Sequence, residues 1–229
     1  METSDKFVVI SSLLCEPSRA KILWSLLDGR AYTTTELAVM ADLSITSTSN
    51  HLSKLLSGEI LKVEIQGRHR YYTFSDDEVA YVVESLANLA KDNKAISIEK
   101  NSSPKGVKYC RTCYDHLAGY IGVKIMDKLL ERDHIVKDVD GYSISTTGWQ
   151  WLGQLEITRD CFIKNKRPII RPCLDWSERR IHIAGQLGAQ MLEYMLKRDW
   201  CRRVKESREI IFTSQGKKAM YDLLEIEVI

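Results

Sequence analysis

The feature that most constrains the fold of this chain is an internal repeat in its second half. Residues 116–133 align without gaps to residues 182–199, and seven of the eighteen aligned positions are identical. Each copy runs on into a hairpin-like stretch and reaches a similar motif, ISTTG from Ile144 and FTSQG from Phe212. Self-similarity of this kind is typical of one supersecondary unit used more than once. The sequence therefore predicts a duplicated helix–β-hairpin–helix domain, with copies at residues 109–158 and 173–225.

Each copy also carries two glycines inside its helical pattern. They are Gly119 and Gly122 in the first copy, and Gly185 and Gly188 in the second. A glycine in a helix interior costs about 1 kcal/mol relative to alanine. Close approach of two helices would offset this cost, so we expect the two glycine-bearing helices to pack against each other.

The first 75 residues show a different order of helix and strand patterns. Thr33 and Glu36 have the spacing of a capping box, which predicts a helix over residues 34–41. A further helix is predicted over residues 45–56, with the apolar side chains of Leu52, Leu55 and Leu56 on one face. Two alternating segments joined by a short turn follow, as in a β-hairpin. Helix, helix, turn, helix and hairpin is the order of a winged helix-turn-helix.

The polar face of the predicted helix 45–56 suits contact with DNA. Short hydroxyl and amide groups can reach base edges and phosphates without obstructing entry into a groove. A solvated face rich in serine and threonine is the alternative interpretation of the same pattern. The candidate DNA-contacting residues are Thr46, Ser47, Ser49, Asn50 and Lys54 on the helix, with Arg68, His69 and Arg70 at the tip of the hairpin.

Several ordered motifs in residues 5–90 resemble the ArsR/SmtB family of bacterial repressors. They are CEPSRAKILWSLLDG from Cys15, ELA from Glu36, LS from Leu43, SNHLSKL from Ser49 and GRHRYY from Gly67. The resemblance implies a homodimer whose fourth helices enter successive major grooves of a palindromic operator. Two positions depart from the family. Residues 36–42 lack the cysteine pair of its metal sensors, and position 50, often Arg or Gln in relatives, is Asn.

The resemblance also implies a dimer interface. A helix predicted over residues 76–91 carries a stripe of apolar residues, which would pack with the first helix of the chain and its partner. Burial of this stripe within its own domain is the alternative. The candidate dimerisation residues are Phe7, Ile10, Leu14, Val79, Val82, Val83 and Leu86.

Cysteine, histidine and aspartate cluster before the glycine helix of each copy. If residues 110–116 are helical, Cys113 and His116 share a face one turn apart, as metal coordination requires. The segments resemble an extended subgroup of the family with the signatures CYDHLAG and CLDWSERR, which start here at Cys113 and Cys173. Three interpretations remain open: a structural role, a thiol- or metal-sensing site, or a small-molecule pocket. The candidate effector residues are Cys110, Cys113, Asp115, His116, Cys173, Asp175 and His182.

Composition and length complete the expected organisation. The chain has 229 residues and a net charge of +2, so no polybasic or acidic tail dominates it. We expect an α+β, mainly helical protein with a winged helix-turn-helix domain at 1–95, a linker at 96–108 and a C-terminal domain at 109–229. Six cysteines are too sparse for a disulfide scaffold, and we expect neither a secretory signal nor a membrane-spanning segment. A cytoplasmic protein without a membrane partner is expected.

These patterns predict a function in transcription. Motifs of phosphate-binding, dinucleotide-binding, hydrolase or zinc-protease sites are absent from the sequence, so we do not expect an enzyme. The prediction is a homodimeric regulator, a repressor by resemblance, that binds operator DNA and is released by an effector sensed in the C-terminal domain. A transition metal ion such as zinc is the candidate cofactor. The alternative is a constitutive architectural DNA-binding protein whose C-terminal half is a protein-interaction platform.

Overall fold

The computed structural model describes residues 2–89, 104–139, 141–162 and 167–229. The chain divides into two compact units, an N-terminal unit of residues 1–90 and a C-terminal unit of residues 91–229. Most of the linker expected at 96–108 lies outside the described residues. Among the helices that the structure describes, none combines the length and the apolar character needed to cross a membrane.

The N-terminal unit contains five helices and a three-stranded antiparallel sheet in the order β1-β3-β2. Its elements are α1 (Thr3–Leu14), α2 (Pro17–Ser25), β1 (Tyr32–Thr33), α3 (Thr34–Ala41), α4 (Ile45–Ser57), β2 (Leu61–Gln66), β3 (His69–Phe74) and α5 (Asp77–Leu89). The strands β2 and β3 form the hairpin of a winged helix, as the sequence predicted.

Local signals explain these elements. Pro17 starts α2 at a position where its missing N–H costs nothing, and the predicted capping box of Thr33 and Glu36 starts α3. Helix α5 is capped by Asp76, whose carboxylate accepts a hydrogen bond from the Val79 N–H at 2.9 Å. Apolar residues of α2, α3 and α4 form the core, including Ile22, Leu23, Leu27, Leu37, Leu52 and Leu55.

The C-terminal unit contains the same order of elements twice: a β-hairpin, a helix, a second hairpin and a second helix. The first half comprises β4 (Arg111–Cys113), β5 (His116–Ala118), α6 (Gly119–Glu131), β6 (Ile135–Asp138), β7 (Gly141–Ile144) and α7 (Thr146–Gln154). The second comprises β8 (Arg171–Leu174), β9 (Ile181–Ala184), α8 (Gly185–Lys197), β10 (Cys201–Arg203), β11 (Ile210–Phe212) and α9 (Ser214–Leu224). One hydrophobic core draws on both halves.

The observed unit corrects the expected helix–β-hairpin–helix order, because a further hairpin precedes each glycine helix. The condition under which Cys113 and His116 would share a helix face is not met, because these two residues lie on the strands β4 and β5 of a hairpin. Gly119 and Gly185 are the first residues of α6 and α8 rather than interior ones, and their φ angles are +79° and +82°. Glycine tolerates this left-handed backbone, which an L-residue adopts only with strain, so each chain reversal from strand to helix requires it.

The expected packing of the glycine helices on each other is also not what the structure has. Helix α6 packs mainly against β9 and helix α8 mainly against β5, so each helix lies on the hairpin of the other half. A Cβ atom on Gly122 would lie 3.7 Å from Cβ of His182, and one on Gly188 would lie 2.9 Å from Cβ of His116. Gly122 and Gly188 therefore leave room for the histidine-bearing strand of the other half, and not for the other glycine-bearing helix.

A substitution at Gly188 tests this packing. The added methyl group of Gly188→Ala would crowd His116 and the carbonyl oxygen of Ile183, and such overpacking costs about 1–3 kcal/mol. We expect the free energy of unfolding of the C-terminal unit to fall by that amount, measured by urea denaturation followed by tryptophan fluorescence. Gly153→Ala in α7 is the control, because outside its own helix no part of the chain that the structure describes comes within 4 Å of its added Cβ. Equal stability of the two variants would contradict the packing.

Candidate nucleic-acid interface and candidate metal centre

Helix α4 is anchored to the N-terminal unit by one face. Ser44 caps its N-terminus, and the Ser44 hydroxyl oxygen accepts a hydrogen bond from the Ser47 N–H at 3.2 Å. Thr48 is completely buried, and its hydroxyl donates to the Ser44 carbonyl oxygen at 3.0 Å. Leu52 and Leu55 are buried one and two turns further along. This anchoring fixes the rotation of α4 about its own axis.

The opposite side of α4 carries the residues predicted to contact DNA. Thr46, Ser49, Asn50 and Lys54 are exposed, and Ser47 is half-buried. Each of these side chains is short or flexible, and together they offer hydrogen-bond donors and acceptors in addition to one positive charge. The structure therefore leaves the predicted polar face of the helix free to enter a groove.

The hairpin β2–β3 presents a basic tip. Its strands pair antiparallel from Leu61 opposite Phe74 to Gln66 opposite His69. Arg68, His69 and Arg70 are all exposed at or next to the turn. Such a tip can donate to phosphate oxygens, which positions a protein on a duplex without reading its sequence.

Most of the predicted dimerisation residues are uncovered within one chain. The exposed fractions of Phe7, Ile10, Val82 and Leu86 are 71%, 43%, 50% and 38%. Val79 is half-buried. The remaining two, Leu14 and Val83, are buried within the unit, where they hold α1 and α5 in place. Both helices thus keep an apolar face exposed, which is uncommon in a stable monomer.

In the C-terminal unit, four potential metal ligands meet. The ligand atoms of Cys113, His116, Cys173 and His182 all lie within 4.8 Å of one another. The two Sγ atoms are 3.8 Å apart, and the two Nε2 atoms are 3.2 Å apart. Cys173 is half-buried, and the other three side chains are buried. We call these four residues the Cys/His tetrad.

Strand register explains how the tetrad forms. Cys113 is paired directly with His116 across β4–β5, and Cys173 with His182 across β8–β9. Side chains opposite each other on antiparallel strands point to the same face, with Cβ atoms about 4.5–5.5 Å apart. Each hairpin therefore presents one thiol and one imidazole together. The sharp link between β4 and β5 has Tyr114 in the left-handed region, with φ of 57°.

Aspartates flank both histidines on the side away from the tetrad centre. Asp115 Oδ1 lies 3.2 Å from His116 Nδ1, and its Oδ2 accepts a hydrogen bond from Arg167 at 2.6 Å. Asp175 Oδ2 lies 3.9 Å from His182 Nδ1, a longer separation. The two predicted aspartates thus contact or approach the imidazoles from outside rather than pointing at the thiols.

Asp175 is fixed by a dense set of donors. Its Oδ2 accepts from the Arg111 guanidinium at 2.7 Å and from the Gly119 N–H at 2.6 Å. Its Oδ1 accepts from the N–H groups of Ser177 and Glu178 at 2.8 and 2.9 Å. Burial raises the pKa of Asp175, but Arg111 and these hydrogen bonds outweigh burial and lower the pKa to about 2.

The two imidazoles differ in proton affinity. Burial lowers the pKa of His116, but negative charge at Cys113 and Asp115 outweighs burial and raises the pKa to about 9. At His182, burial and the positive charge of His116 together lower the pKa well below its usual value. The two Nε2 atoms face each other at 3.2 Å across the centre of the tetrad.

Sequence reasoning placed one residue in this cluster that the structure locates elsewhere. Cys110 is fully buried in the hydrophobic core, where burial raises the pKa of its thiol well above the ordinary value. Two residues of the site were missed, Arg111 and Arg167. Arg111 lies between the two cysteines of the first motif and could have been included on that ground, whereas no motif marks Arg167.

Comparisons with known proteins cover both units. The chain is 40% identical over 219 residues to the uncharacterized HTH-type transcriptional regulator YdfF of Bacillus subtilis, covering 96% of this chain and 97% of that protein. No protein-family model matches the chain. Among solved structures, HlyU from Vibrio cholerae is 31% identical, with 39% of this chain and 98% of that one covered and a TM-score of 0.36. NolR from Sinorhizobium fredii is 26% identical, with 38% and 86% covered and a TM-score of 0.35.

The relative that matches over nearly the full length of both chains is a transcriptional regulator rather than an enzyme. Its similarity includes the C-terminal unit as well as the winged helix. The chain belongs to the family of HTH-type transcriptional regulators, and the motifs of residues 5–90 resemble those of the ArsR/SmtB group.

Proposed function

We propose that this protein regulates transcription as a homodimer on a palindromic operator, as a repressor. The observation that carries the proposal is the exposed polar face of α4 beside the exposed basic tip of β2–β3, both fixed by buried residues of one unit. In this proposal α4 reads base edges in the major groove and the hairpin tip contacts the phosphate backbone or minor groove. The half-sites then lie about 34–36 Å apart, one turn of the duplex.

The proposed dimer interface is the exposed apolar face of α1 and α5. The partner is a second copy of the chain, because the ArsR/SmtB resemblance implies pairing through these helices. Two copies would cover the apolar side chains that one chain leaves exposed.

The double substitution Val82→Glu and Leu86→Glu should produce monomers. Two negative charges on each helix would be buried without partners in the dimer, which is strongly unfavourable. Because a monomer engages only one half-site, we expect operator affinity to fall about 100-fold or more. Sedimentation velocity and fluorescence anisotropy measure the two effects. Ile211→Glu, at a similarly exposed apolar position of the C-terminal unit, is the control. A double variant that remains dimeric would contradict the interface.

We further propose that the C-terminal domain, residues 109–229, arose by duplication and receives the signal that releases DNA. Its two halves have the same order of elements and a gapless sequence repeat, which supports the proposal. The effector classes are a metal ion, a thiol-reactive agent or a small molecule, and the proposed cofactor is a transition metal ion such as zinc at the Cys/His tetrad. A signal can shift DNA affinity only by favouring one of two dimer geometries. We propose a cytoplasmic location.

Selection of bound duplexes from a random pool tests this function. The full-length protein should enrich a palindrome whose half-sites are one helical turn apart. Its affinity for that palindrome should change when an effector of one of the three classes, a metal ion, a thiol oxidant or a small-molecule extract, is added. Enrichment of no sequence would contradict operator binding. A selected palindrome whose affinity is insensitive to metal, oxidant and small-molecule extracts would favour the architectural alternative.

A further inference from the structure

We infer that the Cys/His tetrad is a closed tetrahedral zinc site that joins the two halves of the C-terminal unit. This inference deepens the proposed function, because it specifies the metal, its four ligands and its place in the fold. The ligands are Cys113 and His116 from the first half, and Cys173 and His182 from the second. The zinc ion belongs to the folded unit and is not an effector that comes and goes.

The spacing of the ligand atoms fits zinc. Tetrahedral zinc has Zn–S bonds of about 2.3 Å and Zn–N bonds of about 2.0–2.1 Å, so two sulfur ligands lie about 3.8 Å apart and two nitrogen ligands about 3.3–3.4 Å apart. The observed Sγ–Sγ distance is 3.8 Å and the observed Nε2–Nε2 distance is 3.2 Å. Two of the six edges of the tetrahedron, Sγ–Sγ and Nε2–Nε2, are therefore already set by the protein.

The chemistry of the four groups also fits zinc. Two thiolates carry two negative charges, and Zn²⁺ balances them, so the loaded centre is neutral in its buried position. Two thiolates without a cation would be costly there, because burial penalises unpaired charge. Sulfur and imidazole ligands select zinc over the harder ions magnesium and calcium, which prefer oxygen.

The surroundings of His116 match the outer shell of zinc sites, and those of His182 approach it with a longer separation. In such sites a ligating histidine usually donates its second ring N–H to a carboxylate, which fixes the ring and its tautomer. Asp115 is placed to accept this hydrogen bond from His116 at 3.2 Å, and Asp175 lies 3.9 Å from the corresponding nitrogen of His182. Arginines hold both aspartates, Arg167 at 2.6 Å and Arg111 at 2.7 Å.

The four proposed ligands come from both halves of the C-terminal unit. Each half supplies one thiol and one imidazole, and Arg111 of the first half binds Asp175 of the second. Gly122 and Gly188 let each helix approach the histidine-bearing strand of the other half. Because four protein ligands complete the tetrahedron, no coordination position remains for water or a small molecule. The site is thus structural in type, and it connects the two halves at their contact.

Metal analysis of the full-length protein tests the inference. As purified, the chain should contain one zinc ion, and Co²⁺ exchanged into the same protein should give the intense visible bands of tetrahedral cobalt with thiolate charge-transfer absorption. Cys113→Ser and His182→Ala should each remove the zinc. Asp115→Asn should retain the ligands but weaken zinc binding about 10–100-fold. Cys161→Ser and Cys15→Ser, at thiols outside the tetrad, should leave zinc content unchanged.

Each result of these measurements supports or refutes either the zinc site or the proposed function. Wild-type protein that takes up neither zinc nor cobalt would overturn the inference, as would octahedral cobalt spectra without thiolate bands. The cobalt spectrum is measured on the wild-type chain, so the test survives even if the ligand variants fail to fold. Zinc content without operator binding would leave this inference standing and refute the proposed function. Operator binding by a wild-type protein that takes up no metal would refute this inference and leave the proposed function standing.

Discussion

Cys113→Ser should lower the unfolding temperature of the C-terminal unit by about 6–20 °C. Removing one partner of a buried charged centre costs about 3–5 kcal/mol, and 1 kcal/mol shifts the midpoint by about 2–4 °C for a unit of this size. The structural reason is that the tetrad joins two halves whose ligating strands are only three and four residues long. Differential scanning calorimetry of the full-length protein measures the effect.

Chelation supplies a matched comparison for this prediction. A strong zinc chelator should lower the midpoint of the wild-type protein toward that of Cys113→Ser. It should have no further effect on the variant, because the variant has no metal to lose. Cys161→Ser should behave like the wild type in both conditions. An unfolding midpoint of the wild type that does not respond to the chelator would show that the tetrad contributes no metal-dependent stability.

Asn50→Ala should reduce operator affinity by about 1–3 kcal/mol, roughly 5- to 150-fold, while binding to unrelated DNA stays unchanged. The amide of Asn50 is exposed on the polar side of α4 that we propose enters the major groove, where it could form paired hydrogen bonds to a base edge. Arg70→Ala should weaken specific and non-specific binding alike. It should also reduce the slope of log affinity against log salt by about one, because one phosphate contact is lost.

Fluorescence anisotropy titrations at several salt concentrations, on operator and on scrambled duplex, distinguish these two residues. Thr48 offers no such test because it is buried and holds the helix in place. Ser53→Ala is a suitable control, since its hydroxyl donates to the carbonyl oxygen of Ser49 within α4. If Asn50→Ala weakened both duplexes equally, Asn50 would be a backbone contact and not a reader of sequence.

The winged helix could be predicted almost completely because its signals are local. The capping box at Thr33 and Glu36, the amphipathic face of α4 and the alternation in β2 each report on a few neighbouring residues. The exposed apolar face of α1 and α5 could be predicted only in part. Leu14 and Val83 lie on the expected apolar stripes, but the structure buries them within one chain.

The arrangement of the tetrad could not be predicted from the sequence. Residues 110–116 contain Cys, Cys and His at spacings that suit a helix, and the strands that form instead are too short to leave a clear alternation. The seven residues predicted from the sequence include all four of the tetrad, together with Asp115 and Asp175, which flank the histidines, and Cys110, which lies in the hydrophobic core. The decisive information is the contact between the two halves. His116 and His182 are 66 residues apart in the chain, and they meet because Gly122 and Gly188 leave room for the strands that carry them.

Native mass spectrometry of the full-length protein with its selected operator tests the central claim most directly, since it counts chains, metal ions and duplexes in one complex. We expect two chains, two zinc ions and one duplex. A complex of one chain per duplex, or of two chains on DNA with no metal, would contradict it.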